Sequence, residues 1–295
     1  MTSNGTVAAS AEAVAPASSA APVRVYPLRD TATMLRRNIK QEMRDKVAIA
    51  AIIGIPVLFL LLCVYVFGGA LKNSVTSAGA PAYVDYVLPG LIIMTTAAGL
   101  IGISTQTSVD MTAGIIDRFR TMAIFRPSIL IARVVASGLQ TLVSIVVVFG
   151  IAFAVGFRSS AMFMEWLGAA GLLALITFAL ACLGLAFGLA AKSVASASNG
   201  PFPLILLPLV GSGIVPTSTM PTGLRYFAEY QPFSPMINTL RGLLLGTAIG
   251  WNWLIALAWC GGLALLGLAW SISVFNRRDR KRGIPGPGLP GAPAP

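Results

Sequence analysis

Histidine is absent from this chain, so the residue most often used as a general base and as a metal ligand is missing. The three cysteines are odd in number and far apart, and each lies inside an apolar run, which is typical of packing thiols. They are Cys63, Cys182 and Cys260. We therefore expect no catalytic site, no metal site and no cofactor held by this chain itself.

A phosphate-binding loop is also missing. The nearest match to G-x-x-x-x-G-K-[ST] runs from Gly188 to Lys192, but it lacks the glycine before the lysine and the required spacing. The chain therefore cannot hydrolyse ATP by that route, and we do not expect it to be an enzyme on its own.

Acidic residues avoid the long apolar runs. The ten carboxylates lie in tails, in loops or at the ends of runs. Proton-coupled exporters usually depend on ionisable groups inside the membrane. A self-sufficient antiporter is therefore disfavoured.

Charged residues of any kind are scarce, at 11% of the 295 residues, whereas 56% are hydrophobic. Soluble domains carry about 25% charged residues, so the composition predicts an all-α integral membrane protein. Six uncharged runs reach the length of about 20 residues that a membrane helix needs. They lie near 47–71, 87–109, 134–157, 166–191, 201–220 and 251–275. The fifth run contains Pro208 and Pro216, which we expect to kink or end its helix.

Basic residues are distributed unevenly around these runs. Seventeen of the 21 Lys and Arg lie before the first run, between the second and third, between the fourth and fifth, or after the sixth. The positive-inside rule then places both termini in the cytoplasm, in a multi-pass protein of the plasma membrane. The net charge of +11 is explained mostly by this topology, and the basic residues can also contact anionic lipid. No nucleic-acid partner is expected.

The arm before the first run has an amphipathic pattern. Apolar residues recur in steps of three and four with basic residues between them: Leu28, Ala32, Leu35, Ile39 and Met43 against Arg36, Arg37, Lys40 and Arg44. We predict an interfacial helix on the cytoplasmic leaflet, which acts either as an anchor alone or also in transmitting motion. The predicted membrane domain is 28–276, between a disordered cytoplasmic tail at 1–27 and a basic, Pro/Gly-rich cytoplasmic tail at 277–295.

A short basic island, residues 114–127, separates the second and third runs. Its sequence is GIIDRFRTMAIFRP, which is amphipathic at helical spacing. Burying its charged residues at the bilayer centre would cost about 2.5 to 3.5 kcal/mol each, so the island must lie in water or at the interface. Pro127 is expected to end its helix at or just before Arg126. The pattern leaves two interpretations open: a helix that rests on the membrane, and a docking helix that inserts into a cytoplasmic partner.

The second run ends in an unusual number of polar side chains for a membrane helix. They are Ser104, Thr105, Gln106, Thr107 and Ser108. These residues either face a cavity or protein, or form ordinary hydrogen bonds between helices.

Residues 221–250 follow the fifth run on the predicted outer side. Arg225 and Glu229 are four residues apart and can pair on one helical turn. The stretch from Met236 to Gly246 is too short to span the membrane and too apolar for a free loop. Short external helices or a partial re-entrant pair fit this pattern. Three Gly-x-x-x-Gly spacings permit close helix approach and are candidate dimer interfaces: 184/188, 242/246 and 246/250.

Four motifs occur in the order and spacing of one protein family. They are Leu88-Pro-Gly-Leu, the island 114–127, Gly156-Phe-Arg158, and Ser218-Thr-Met-Pro221 followed by Gln231-Pro-Phe-Ser-Pro and Leu240-Arg-Gly242. Over about residues 30–277 the chain resembles the type-2 ABC transporter permeases, in particular the daunorubicin/doxorubicin-resistance group of actinobacteria. The island is the most specific match, although Ala123 replaces an expected proline within it and Gln231 replaces an expected asparagine.

The resemblance implies a half-transporter without an ATPase site of its own. Two such membrane subunits, identical or related, would associate with two ATP-binding subunits that hold ATP and magnesium. The island would be the coupling helix, about 113–127, that seats in the ATP-binding subunit. Its implied contacts are Asp117, Arg118, Phe119, Arg120, Arg126 and Pro127. The second and fifth spans would line the translocation path, with Ser104, Thr105, Gln106, Ser108, Pro208 and Pro216 along it.

Together, the residues and the resemblance lead to one expectation. The chain is a six-span permease subunit that exports a hydrophobic or amphipathic compound, such as a drug, an antibiotic or a lipid-like metabolite, and so confers drug resistance. Two alternatives stay open: export of a lipid-linked glycan or polysaccharide, and a membrane scaffold without transport. Substrate-stimulated ATPase activity of the partner distinguishes a transporter from a scaffold.

The topology can be tested by labelling single introduced cysteines in intact cells. A cysteine at Thr222 should react with an impermeant thiol reagent from outside, and one at Arg280 should react only after the cells are permeabilised. The unmodified chain, whose cysteines all lie in apolar runs, gives the background. The opposite labelling pattern would overturn the predicted orientation.

Overall fold

The computed structural model describes residues 27–44, 46–69, 82–113, 126–215, 217 and 220–281. All regular elements in these ranges are helical, in agreement with the predicted fold class. They are α1 (Pro27–Arg44), α2 (Lys46–Leu62, extended by a π-helical turn at Cys63–Phe67), α3 (Tyr83–Thr112), α4 (Arg126–Val155), α5 (Phe163–Ala190), α6 (Val194–Asn199), α7 (Phe202–Val210), α8 (Thr222–Tyr230), α9 (Phe233–Leu245) and α10 (Asn252–Lys281).

Five of the described helices are long and apolar enough to cross a membrane, which makes the chain a multi-pass membrane protein. The crossing stretches are Ile49–Phe67, Tyr83–Thr112, Leu130–Val155, Phe163–Ala190 and Asn252–Val274. They overlap five of the six predicted runs. The run predicted at 201–220 differs, because the described residues in and just before it form the short helices α6 and α7. A sixth crossing therefore stays a prediction.

Helices α3 and α5 form the centre of the molecule. Leu91, Ile92 and Leu100 of α3 belong to the same buried core as Ile176 and Leu180 of α5. Helices α2, α4 and α10 expose much of their apolar surface, as expected where a helix faces lipid and not water. Helix α4 ends at Val155, where Gly156 takes a φ of 111° that disfavours residues with a Cβ.

Tryptophans mark the beginning of α10. Trp251 directly precedes the helix and is 77% exposed, and Trp253 is 47% exposed. Exposed tryptophan at the end of an apolar helix is typical of the headgroup layer of a membrane. The charge distribution in the sequence predicts that this end of α10 lies on the outer side.

Two glycines on α5 let it approach α3 closely. A Cβ on Gly188 would lie 2.5 Å from the carbonyl oxygen of Ser104, and a Cβ on Gly184 would lie 3.0 Å from that of Leu100. These two glycines therefore pack against another helix of the same chain. The sequence had suggested them as a candidate interface between two copies.

Helices α6 and α7 together form a kinked apolar segment, Val194–Val210. Its 17 residues would extend about 25 Å at the usual helical rise, which is less than the hydrocarbon thickness of about 30 Å. Pro201 lies between the two helices with helical backbone angles. The segment is therefore interrupted at Pro201, whereas Pro208, which was predicted to kink or end the helix, lies within α7. The segment also begins before the predicted run.

The region 221–250 contains two helices of different character. Helix α8 is exposed except at Ala228, and its predicted pair is confirmed, with Arg225 Nε donating to Glu229 Oε1 at 2.8 Å. Helix α9 is buried along most of its length and contacts α3, α5 and α10. Helix α9 is thus packed within the protein, and a re-entrant arrangement of this region stays a prediction.

The contact between α3 and α5 gives a stability prediction. Replacing Gly188 by Ala places a methyl group against the α3 backbone and should destabilise the fold by about 1 to 3 kcal/mol. Replacing Gly171 on the same helix, where an added Cβ would meet no neighbouring atom within 4 Å, should be neutral or slightly stabilising. Thermal unfolding in detergent measures both variants, and equal melting temperatures would contradict the packing interpretation.

Candidate functional site

The ends of α3 and α4 are the two stems of the predicted coupling segment, and a buried ion pair joins them. Asp110 lies in the last turn of α3, and Arg133 lies two turns after the beginning of α4. The Nη2 atom of Arg133 donates to Oδ2 of Asp110. The two helices that flank the predicted coupling segment are therefore joined by this ion pair.

The arm helix α1 joins the same cluster through Glu42. Its Oε1 atom lies 3.8 Å from Nη1 of Arg133. Met34 and Asn38 of α1 are buried on the same side of the helix, where α1 packs on α4. Glu42, Arg133 and Asp110 therefore connect three helices that are distant in sequence.

The charged side chains of this cluster are buried, which makes their pairing important for stability. The side chains of Arg133, Asp110 and Glu42 are 4%, 9% and 10% exposed. Burial raises the pKa of Glu42, and the charge of Arg133 lowers it. A buried charge that loses its partner is strongly destabilising. Separating these three charges from one another would therefore be energetically costly.

The predicted docking residues are only partly within the described structure. Asp117, Arg118, Phe119 and Arg120 lie outside the described residues. Arg126 begins α4 and Pro127 is its second residue. Proline is well tolerated in the first turn of a helix because the N–H it lacks has no intrahelical partner there. Pro127 thus belongs to the helix that follows the island.

The polar end of the second span contacts the kinked segment. Ser104 Oγ donates to the carbonyl oxygen of Ala197 at 2.8 Å, and the hydroxyls of Thr105 and Ser198 lie 2.9 Å apart. These two residues form hydrogen bonds between helices, which was one of the two alternatives raised by the sequence. Gln106 is half-buried and Ser108 is buried.

The bond from Ser104 has a specific cause. In a continuous helix the carbonyl of Ala197 would accept from the N–H of residue 201, but that residue is Pro201 and has no N–H. A neighbouring hydroxyl that replaces the missing donor is the usual remedy within a membrane. The polar patch on α3 and the proline on the kinked segment are therefore complementary.

The turn that follows the kinked segment also lies against α3. A Cβ on Gly213 would lie 3.4 Å from the Cα of Gly90, so the two backbones touch. Gly90 and Ser104 are 14 positions apart on α3, which corresponds to about 21 Å along a helix. Pro208, a predicted path residue, is buried within α7, and Pro216 lies outside the described residues. Interrupted helices of this kind often form the transport site of membrane carriers.

Arg241 is a buried charge whose role the sequence did not reveal. Its Nη2 atom donates to the carbonyl oxygens of Ser212 at 2.6 Å and Tyr86 at 3.2 Å. Its Nη1 atom donates to Asn238 Oδ1 at 3.0 Å, and the guanidinium lies 3.8 Å from the centre of the Tyr86 ring. No carboxylate of the described residues forms an ion pair with it.

The position of Arg241 is explained by the chain around it. Helix α7 has already ended at Val210, and Pro216 has no N–H to offer the carbonyl of Ser212. Arg241 supplies that donor and links α3, α9 and the turn after α7. The signal in the sequence was a single charge within the apolar stretch 232–250.

Comparison with known proteins places this architecture among membrane transporters. A family model described as ABC-2 type transporter matches residues 29–245. The chain is 25% identical over 260 residues to the daunorubicin resistance ABC transporter permease protein DrrB1 of Streptomyces coeruleorubidus, covering 88% of this chain and 90% of that protein. It is 22% identical over 236 residues to the probable doxorubicin resistance ABC transporter permease protein DrrC of Mycobacterium tuberculosis (strain ATCC 25618 / H37Rv), covering 79% and 84%.

The buried cluster yields a prediction with a control in the same chain. Replacing Arg133 by Met removes the positive charge that pairs with Asp110 and Glu42 and should cost about 3 to 5 kcal/mol of stability. Replacing Arg225 by Met, which breaks the exposed pair with Glu229, should barely change the melting temperature. Adding Asp110→Asn and Glu42→Gln to the Arg133 variant should recover part of the loss. If these changes recover nothing, the stability lost in the Arg133 variant is caused by altered packing and not by unpaired charge.

Proposed function

This chain belongs to the ABC-2 type transporter family, and we propose that it is the permease subunit of an ATP-driven exporter of a hydrophobic or amphipathic compound. The match over residues 29–245 carries the proposal, because it spans the arm, the coupling segment and the kinked fifth segment together. The relatives named as daunorubicin and doxorubicin resistance permeases favour a drug, an antibiotic or a lipid-like metabolite as cargo. The termini lie in the cytoplasm and the chain resides in the plasma membrane.

A separate ATP-binding subunit supplies the energy. The complex contains two copies of that subunit, which bind ATP and magnesium, and a second permease that is either identical or related. The absence of a Walker loop from this sequence supports an external motor. The assembled complex, and not this chain, is the ATP-hydrolysing unit.

The island is the coupling helix of the proposed complex. It occupies about residues 113–127 and docks in the ATP-binding subunit through Asp117, Arg118, Phe119, Arg120, Arg126 and Pro127. Nucleotide-driven closure of the motor moves this helix. Because Asp110 and Arg133 join the stems and Glu42 joins the arm, the displacement reaches α1, α3 and α4 as one unit.

The transport path runs along α3 and the kinked segment. Ser104, Thr105, Gln106, Ser108, Pro208 and Pro216 line it in this proposal. Phe202, Leu206 and Leu209 lie exposed on one side of α7 at helical spacing, and an apolar wall of this kind suits a hydrophobic cargo. Rocking of the membrane halves exposes the path to each side in turn.

The proposal predicts the behaviour of the reconstituted complex. Proteoliposomes that contain this chain and its ATP-binding subunit should show ATPase activity stimulated by anthracycline-like compounds, together with ATP-dependent movement of the compound. Reversing the charges of Arg118 and Arg120 to Glu should release the ATP-binding subunit on purification while membrane insertion stays intact. As a control, replacing Arg158 and Arg225 by Glu makes the same change in net charge on the predicted outer side. This variant should still co-purify with the ATP-binding subunit.

Two results would contradict the proposal separately. ATPase activity that no compound stimulates, without ATP-dependent movement, would favour a scaffold. Co-purification of the Arg118/Arg120 variant with undiminished ATPase activity would remove the docking assignment while leaving transport in place.

A further inference from the structure

The turn that follows α7 is enclosed between two neighbours. On one side, a Cβ on Gly90 of α3 would overlap the backbone of Gly213. On the other side, a Cβ on Gly211 would overlap the side chain of Gln231 and lie 2.7 Å from Oγ of Ser234 in α9. Because a side chain would not fit at Gly90 or Gly211, the backbone of the turn directly contacts α3 on one side and α9 on the other.

Hydrogen bonds hold the same turn to α9. The backbone N–H of Ser212 donates to Oγ of Ser234 at 3.3 Å, and the hydroxyl of Ser212 donates to Oδ1 of Asn238 at 2.9 Å. Gln231 Nε2 also donates to Ser234 Oγ, at 3.3 Å. Ser212, Ser234 and Gln231 are buried, so water does not compete for these bonds. The turn therefore has one defined position on α9.

Arg241 joins the turn and α9 to α3. Its Nη2 atom donates to the carbonyl oxygens of Ser212 and Tyr86, and its Nε atom also points to the Tyr86 carbonyl. Its Nη1 atom donates to Asn238 Oδ1. All of these acceptors are neutral, and within the residues that the structure describes no carboxylate pairs with Arg241. The planar guanidinium is therefore placed by the geometry of its hydrogen bonds and not by an opposite charge.

Helix α7 lies between two polar anchors. Near the predicted cytoplasmic end of α3, the hydroxyls of Ser104 and Thr105 bond to α6. At the other end, Arg241 and its partners hold the turn. Helix α7 itself has only apolar side chains, so it forms no side-chain hydrogen bond of its own. Its position along α3 therefore depends on apolar packing and on these two anchors.

We propose that Arg241 is a positioning residue of the transport path, which keeps α3, the turn after α7 and α9 together as one block throughout the transport cycle. This inference rests on the proposed function and assigns Arg241 no contact with the cargo. With the turn held, α7 moves together with α3. With the turn released, α7 shifts independently of α3, and ATP is hydrolysed without movement of the cargo.

The number of daunorubicin molecules moved per ATP hydrolysed, in proteoliposomes with the complete complex, tests this role. Arg241→Met should lower this ratio about tenfold and Arg241→Lys about threefold, because lysine keeps the charge but lacks the planar fork of donors. Arg225→Met, on the same predicted side, should keep the unmodified ratio. A purely structural role would lower transport and ATPase activity together and leave the ratio unchanged, which would overturn the proposal. An unchanged ratio in Arg241→Lys would assign the effect to charge alone and overturn it as well.

A second variant disturbs the same contact without changing any charge. Gly90→Ala pushes the turn away from α3 and should lower the ratio of transport to ATP hydrolysis as Arg241→Met does. Gly102→Ala, on the same helix, adds a Cβ that meets no neighbouring atom within 4 Å and should leave the ratio unchanged. Equal ratios for the two glycine variants would contradict the proposal.

A crosslink distinguishes a fixed block from one that opens. In the variant Ser212→Cys/Asn238→Cys, which keeps Arg241, the two introduced thiols replace side chains whose polar atoms lie 2.9 Å apart. Joining them with a short bifunctional thiol reagent should leave the transport ratio as it was before crosslinking. The unmodified chain, whose three cysteines are buried, gives the background. Loss of transport on crosslinking would show that the turn leaves α9 during the cycle and would overturn the proposal. Absence of ATP-dependent movement in the unmodified complex would instead count against the proposed function.

Discussion

Proline removes backbone donors from the fifth apolar segment, and the surrounding structure has to replace them. An unpaired carbonyl inside a membrane is costly because no water can bond to it. Ser104 replaces the donor that Pro201 lacks, and Arg241 donates to the carbonyl of Ser212. Both replacements involve α3, since Arg241 also donates to the Tyr86 carbonyl. One replacement donor thus belongs to α3 and the other to α9, and each lies where the neighbouring segment is interrupted.

A buried carboxylate near each end of α3 also has a fixed partner. Near its beginning, Asp85 accepts from the backbone N–H of Arg158 at 3.1 Å, and near its end Asp110 pairs with Arg133. Both carboxylates are buried, so each needs a fixed partner. The long apolar middle of the helix remains free for packing against α5. Helix α3 is thus held at both ends and packed along its centre, which suits an element that carries displacement over its full length.

Much of this architecture follows from periodicity and composition. Apolar runs longer than a bilayer core predicted the five long helices, and the Arg225–Glu229 pair needed only the four-residue spacing of one turn. The buried clusters did not follow, because Asp110 and Arg133 are 23 residues apart and Glu42 is 68 positions before Asp110. Nothing local specifies that they meet. The true beginning of the fifth segment was also missed, since Ser193 and Asn199 are polar and shortened the apparent run.

The tryptophans at the beginning of α10 fix the depth of this helix end relative to the membrane surface. Indole rings favour the headgroup layer and resist displacement towards either water or hydrocarbon. A helix held at that depth by Trp251 and Trp253 can tilt about that end more easily than it can shift along the membrane normal. Because α10 packs on α5, a displacement of α5 in the proposed transport cycle would rotate α10 about a pivot near its tryptophans. In the proposed cycle α10 would then tilt, and it would not slide along the membrane normal.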